Sequence, residues 1–315
     1  MLSQEAKAVL ADLARKKAAQ AEPRDAREKL AQARAMTASL SDYSGTAPRG
    51  VSSEDISVER PAGCADDGAG PIRVRLYRPS GPASAMLVWY HGGGAMAGSL
   101  DSHDIALRQL CEATGRLVAS VDYRLAPEHI SPAPQTDCIA ATMALMARAG
   151  DFGCHPATVA IGGDSIGGLF AAVVVRALLE AGAAVPAKLV MLYPNTDLRP
   201  DRPFLSLKTE AGNVMTEESL AYENALFVPD PRERSDPRVS PLLARDFHGF
   251  PDTLVVTCEH DPLRDEGELF CSKLHASGVT ARHLRVEGMI HGFLQMDGWI
   301  GATSQLRAAT AHHLT

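Results

Sequence analysis

The sequence predicts a doubly wound α/β protein, a mostly parallel sheet with helices on both faces. Three observations carry this expectation. AMLVWY (85–90), RLVASV (116–121), TVAIG (158–162), KLVMLY (188–193) and TLVVTC (253–258) are almost continuously apolar, as strands covered on both faces must be. Helical patterns at 103–114, 134–149, 167–182 and 264–277 separate them, so strand and helix alternate. A glycine-rich stretch, GGDSIGG (162–168), stands at a strand-to-helix junction, where such sheets gather functional groups.

The elements follow in order. The first forty residues are rich in Ala, Lys, Arg and Glu, and charges interrupt every apolar stretch. No signal-peptide core or membrane-spanning run is therefore expected. Leu2, Ala6, Val9, Leu10 and Leu13 recur at helical spacing, Pro23 interrupts, and Leu30, Ala33 and Met36 resume. Residues 1–50 thus read as two short amphipathic helices that need a surface to cover. IRVRLY (72–77) alternates like a half-exposed antiparallel strand. The five apolar runs come next, and ARHLRV (281–286) closes the series within one domain, 51–315. Between 195 and 245 the rhythm breaks into a stretch rich in Pro, Asp and Arg. A structureless loop of that length is foreign to a compact domain, so this segment is expected to make a small helical excursion. With the N-terminal helices it would form a cap.

Composition narrows the function. The 315 residues are 45% hydrophobic, enough to fill a sizeable core. The net charge of −7 comes from interspersed acids and bases, which argues against nucleic acid or an anionic membrane as partner. Six cysteines (Cys64, Cys111, Cys138, Cys154, Cys258, Cys271) stand far apart with no CxxC. Neither a zinc cluster nor a disulfide framework is encoded, and reduced cytoplasmic thiols are expected.

Gly163-Asp164-Ser165-Ile166-Gly167 fits G-x-S-x-G between a strand and a helix, the context a nucleophilic serine requires. A sharp turn there exposes the hydroxyl beside a helix N-terminus, whose N–H groups favour developing negative charge. Two other readings compete: a turn with a capping serine, and a phosphate loop. The second lacks both GxGxxG and GxxxxGK[ST]. HGGGAMAG (91–98) follows the strand 85–90 and frees backbone donors from side chains. Gly93 and Gly94, with the N–H of Ile166, are the expected oxyanion hole. His91 is expected to hold this loop rather than act as base.

DYRLAPE (122–128) lies between HGGG and GDSIGG, and YPNTD (193–197), DPRVSPLLA (236–244), DPLRDEG (261–267) and HGF (291–293) follow in order. With these motifs the chain resembles the bacterial hormone-sensitive-lipase-like (family IV) esterases over about residues 70–295. The resemblance implies an α/β-hydrolase fold with an eight-stranded sheet and a helical cap. It also implies a serine carboxylesterase that needs no cofactor and no metal. The chain order Ser, Asp/Glu, His places the base after the last strands, where His291 lies between Gly288 and Gly292. His283 reads as structural within its strand, and His312 and His313 as solvated at the chain end. Asp261 stands at the carboxyl end of its strand with Asp265 as a rival; the resemblance favours the first. Asp122, Arg124 and Glu128 read as a structural ion-pair network.

The chain also departs from its relatives. Where they carry an aromatic after HGGG, it has Ala95 and Met96, and Ile166 replaces their commoner alanine. The first change softens the pocket toward bulkier groups and the second narrows it beside the nucleophile. Met215, Ile290 and Phe293 join Ala95 and Met96 as expected substrate contacts. An amidase, deacetylase or lactonase would use the same three side chains, and a small-molecule receptor would have lost the histidine. A homodimer through the sheet edge at ARHLRV is expected.

Overall fold

The structure, a computed structural model, describes residues 1–61 and 69–315, so Cys64 lies outside it. The apolar runs fold as β3 (Met86–Tyr90), β4 (Leu117–Val121), β5 (Ala160–Asp164), β6 (Lys188–Leu192) and β7 (Asp252–His260). Every residue of β3, β4 and β5 is buried. With β1 (Ser52–Val58), β2 (Ile72–Arg78) and β8 (Ala281–Ile290) they form one sheet of order β1-β2-β4-β3-β5-β6-β7-β8. β1 with β2 and β2 with β4 are antiparallel, and every other pairing is parallel. The alternating IRVRLY is thus an antiparallel strand, as its pattern predicts.

The pleat sends neighbouring residues to opposite faces. Val88 and Tyr90 enter a core built with α4 (Ala133–Ala147), α5 (Ile166–Glu180) and α8 (Arg264–Ala276). Leu87 and Trp89 enter another, covered by α1 (Gln4–Ala18), α3 (Asp104–Thr114) and α9 (Thr303–Leu314). α2 (Ala26–Ala38) follows α1, and each begins at a side-chain cap: Ser3 accepts the Ala6 N–H and Asp25 the Glu28 N–H. The 195–245 segment contains α6 (Ser206–Thr209), α7 (Glu217–Phe227) and two short 3-10 turns, with irregular chain between. Thr216 and Ser219 form a capping box at the start of α7.

Several details differ from the sequence reading. The polar strand β1 carries no apolar signal because it is a largely exposed sheet edge. β8 runs on past Val286 to Ile290, so His291 follows the strand directly. His313, expected in solvent, is buried because α9 folds back onto the sheet, and its imidazole is pushed down by that burial. His312 is exposed as expected. Among the described residues, Asp122, Arg124 and Glu128 pair with other groups and not with one another. Arg124 pairs with Asp137, Glu128 with Arg34, and Asp122 lies 3.8 Å from Arg73.

Candidate active site

The turn between β5 and α5 leaves no space for side chains. A methyl group on Gly163 would strike the backbone of Gly167, and one on Gly167 would strike the Tyr90 carbonyl. Between them Ser165 adopts φ +56° and ψ −121°, a strained region that persists only where its surroundings hold it. They do so here through three hydrogen bonds. Ser165 N–H donates to the Leu192 carbonyl at 2.9 Å, while the Ser165 carbonyl accepts from Gly168 at 3.0 Å and Asn195 at 3.1 Å.

β7 and β8 deliver two further groups to the same end of the sheet. Their register shifts between Cys258 and His260, and His260 then pairs with Ile290, one residue before His291. His291 Nε2 lies 2.9 Å from Ser165 Oγ, and His291 Nδ1 lies 2.8 Å from Asp261 Oδ2. The other Asp261 oxygen accepts the Leu263 N–H at 2.8 Å. Asp265 points elsewhere and accepts the Ser206 N–H at 2.8 Å, holding the start of α6. Burial opposes a charge on His291, yet Asp261, Asp164 and Glu223 together raise its pKa above the ordinary value. The Tyr193 ring packs edge-on against it with centroids 4.8 Å apart.

The glycine loop after β3 lies against the serine turn, where Gly92 meets Asp164. Gly93 and Gly94 have φ of +121° and +61°, conformations open to glycine. The Gly93 carbonyl is occupied by the N–H groups of Met96 and Ala97, whereas the N–H groups of Gly93 and Gly94 donate to no group among the described residues. Ile166, as the first residue of α5, has an N–H without an intrahelical acceptor. Among the described residues these three backbone donors are thus without an acceptor. His91 braces the loop, with Nδ1 at 2.9 Å from the Gly92 carbonyl and its ring stacked on Tyr123. Burial, reinforced by His103, pushes His91 down to about 4, so the ring is neutral.

Asp164 ties this loop to the serine turn. It accepts from Trp89 Nε1 at 3.1 Å and Gly92 N–H at 3.2 Å, and meets His103 Nε2 at 3.2 Å. Burial pushes its carboxyl up, but His103 and the Trp89 donor outweigh that and hold it below the usual range. From outside, α2 pins the same loop. Arg34 donates to the Met96 carbonyl at 2.7 Å and the Ala126 carbonyl at 3.0 Å, and pairs with Glu128.

Comparison with known proteins identifies the family. Residues 87–295 match a family model described as alpha/beta hydrolase fold. The chain is 38% identical over 273 residues to the carboxylic ester hydrolase LipN of Mycobacterium tuberculosis, covering 83% of this chain and 70% of that protein. It is 34% identical to the ethyl acetate hydrolase of Pseudomonas putida, covering 73% of each. A hyperthermophilic esterase from the archaeon Pyrobaculum calidifontis superimposes with a TM-score of 0.88 at 32% identity, over 99% of this chain and 97% of that one. The chain belongs to the hormone-sensitive-lipase-like esterases of the α/β-hydrolase fold. It is a serine ester hydrolase.

In this esterase the five expected substrate contacts do not form one group. Ala95 and Met96 are buried in the glycine loop. Met215 packs with Leu207, Leu220 and Leu263 beneath α6 and α7. Ile290 and Phe293 lie wholly inside the core shared with α1, α3 and α9. Sequence reading passed over Glu223, on α7. Its carboxyl lies against Gly94 and is pushed up to about 7 by burial. Nothing in the acidic run TEESLAYE distinguishes it from an ordinary solvated glutamate.

Proposed function

We propose that Ser165 attacks the ester carbonyl, that His291 carries the proton, and that Asp261 holds His291 in its working tautomer. The observation that supports this reading is the hydrogen-bond chain from Ser165 Oγ through His291 to Asp261. The hydroxyl proton passes to Nε2 as Oγ bonds to the carbonyl carbon. The N–H groups of Gly93, Gly94 and Ile166 donate hydrogen bonds to the developing oxyanion. His291 then returns the proton to the departing alcohol. Water, deprotonated by the same ring, releases the acid and restores Ser165.

Small to medium acyl esters are the proposed substrates. α1, α2 and the 195–245 segment would act as the cap, with Arg34 coupling its position to the oxyanion loop. No cofactor or metal enters the scheme. β8 stands at the sheet's outer edge and would pair two copies in a homodimer. Cytoplasmic residence is in keeping with the five free, buried cysteines among the described residues.

A serine-directed phosphonate provides the test. Covalent labelling is expected at Ser165, with none in Ser165→Ala and a large loss in His291→Ala. A wild-type enzyme that hydrolyses esters without being labelled at Ser165 would overturn the assignment.

A further inference from the structure

α7 carries Glu223 to the rim of the oxyanion loop. A methyl group at Gly94 would lie 2.8 Å from Glu223 Cδ and 3.1 Å from its Cβ, so the glutamate fills the space that this glycine leaves. His291 and Arg202 are within its electrostatic reach. Arg202 is nevertheless committed to Asn195, the Asp197 carbonyl and Glu266. No hydrogen bond reaches the Glu223 carboxyl among the described residues. Neither of its oxygens is sealed from a small molecule.

A half-buried carboxyl without a hydrogen-bond partner is costly, and this one lies against Gly94, in the loop proposed to hold the substrate oxygen. We propose that Glu223 is a specificity-determining residue that binds a hydroxyl group of the substrate, so that the enzyme selects hydroxylated small esters over their deoxy counterparts. This rests on ester hydrolysis at Ser165.

Charge favours a hydroxyl over a cation as the ligand. An ionised carboxylate beside Gly94 would oppose the negative charge that gathers on the substrate oxygen, whereas the neutral acid does not. Burial already moves Glu223 toward the neutral form near pH 7. A neutral carboxyl offers a hydroxyl both a donor and an acceptor, and offers a cation no countercharge. Glu223 makes and breaks no covalent bond in this scheme.

The test compares two ester pairs by titrating the acid released: methyl butyrate with methyl 3-hydroxybutyrate, and ethyl butyrate with 2-hydroxyethyl butyrate. In the wild type one hydroxylated ester is expected to exceed its partner by roughly tenfold in kcat/KM. The pair that responds locates the hydroxyl on the acyl or the alcohol side. Glu223→Leu is expected to abolish the preference, lowering kcat/KM on the hydroxylated ester about tenfold more than on its deoxy partner. Glu223→Gln, which keeps shape and part of the hydrogen bonding, should reduce it several-fold, so the proposal remains testable if the leucine variant does not fold. No preference in the wild type, a preference undiminished in Glu223→Gln, or equal loss on both members of a pair would overturn the inference. Active wild-type enzyme without the preference refutes this inference alone. Failure to hydrolyse any of the four esters, together with an unlabelled Ser165, refutes the underlying reading as well.

Discussion

Asp261→Asn preserves shape and removes one charge, so it isolates what the carboxylate does for His291. Asp261 Oδ1 accepts the Leu263 N–H at 2.8 Å while Oδ2 meets His291 Nδ1 at 2.8 Å. An asparagine has to keep its oxygen toward Leu263, because an NH2 group cannot accept that donor. Its NH2 then faces Nδ1, which must become the unprotonated nitrogen. The ring proton moves to Nε2, 2.9 Å from Ser165 Oγ, where it blocks acceptance of the hydroxyl proton. Losing both the tautomer and the charge that stabilises imidazolium should lower kcat by about 10⁴-fold, or roughly 5.5 kcal/mol. Initial rates on 4-nitrophenyl butyrate, with thermal unfolding as a folding check, measure this. Asp265→Asn is the internal control. It weakens the hold on Ser206, costing about 1 kcal/mol of stability, and should leave kcat within about threefold, since its carboxyl is not in the proton path. An Asp261→Asn enzyme within tenfold of wild type, or a collapse in Asp265→Asn instead, would refute the reasoning.

Three further outcomes are expected. Gly167→Ala drives a methyl into the Tyr90 carbonyl and should cost more than about 4 kcal/mol, seen as insoluble protein or a steep fall in melting temperature. Arg34→Ala frees the carbonyls of Met96 and Ala126; misplacing the oxyanion donors should lower kcat about tenfold, and an unchanged kcat would separate α2 from catalysis. Glu223 has a folded pKa of about 7 against an ordinary 4.5. The folded protein therefore keeps a proton that the unfolded chain has released between those values, and stability falls as pH rises through that window. Glu223→Gln should add up to about 3 kcal/mol at pH 8 and nothing at pH 4, with denaturant unfolding as the measurement and an equal effect at both pH values as the refuting result.

Much of the fold is legible in the chain because its cause is local. A strand covered on both faces must be apolar throughout, so β3 to β7 announce themselves. β1 does not, because SSEDISV pairs along one edge only and stays largely exposed. His313 departs from its expected solvation for a related reason: a terminal histidine carries no mark of whether its helix folds back onto the sheet.

The sequence by itself determined the serine turn. Gly163 and Gly167 are required by close approach within one strand-turn-helix unit, and HGGG and the order of Ser165, a carboxylate after TLVVTC and His291 are equally plain in the chain. Tertiary structure decided which carboxylate meets His291, because Asp261 and Asp265 differ only in where the end of β7 and the first turn of α8 aim them. It also decided where Glu223 stands. An acidic helix is solvated until packing carries one of its side chains against the backbone of a distant loop, and that contact at Gly94 turns an ordinary surface glutamate into a half-buried one with a raised pKa.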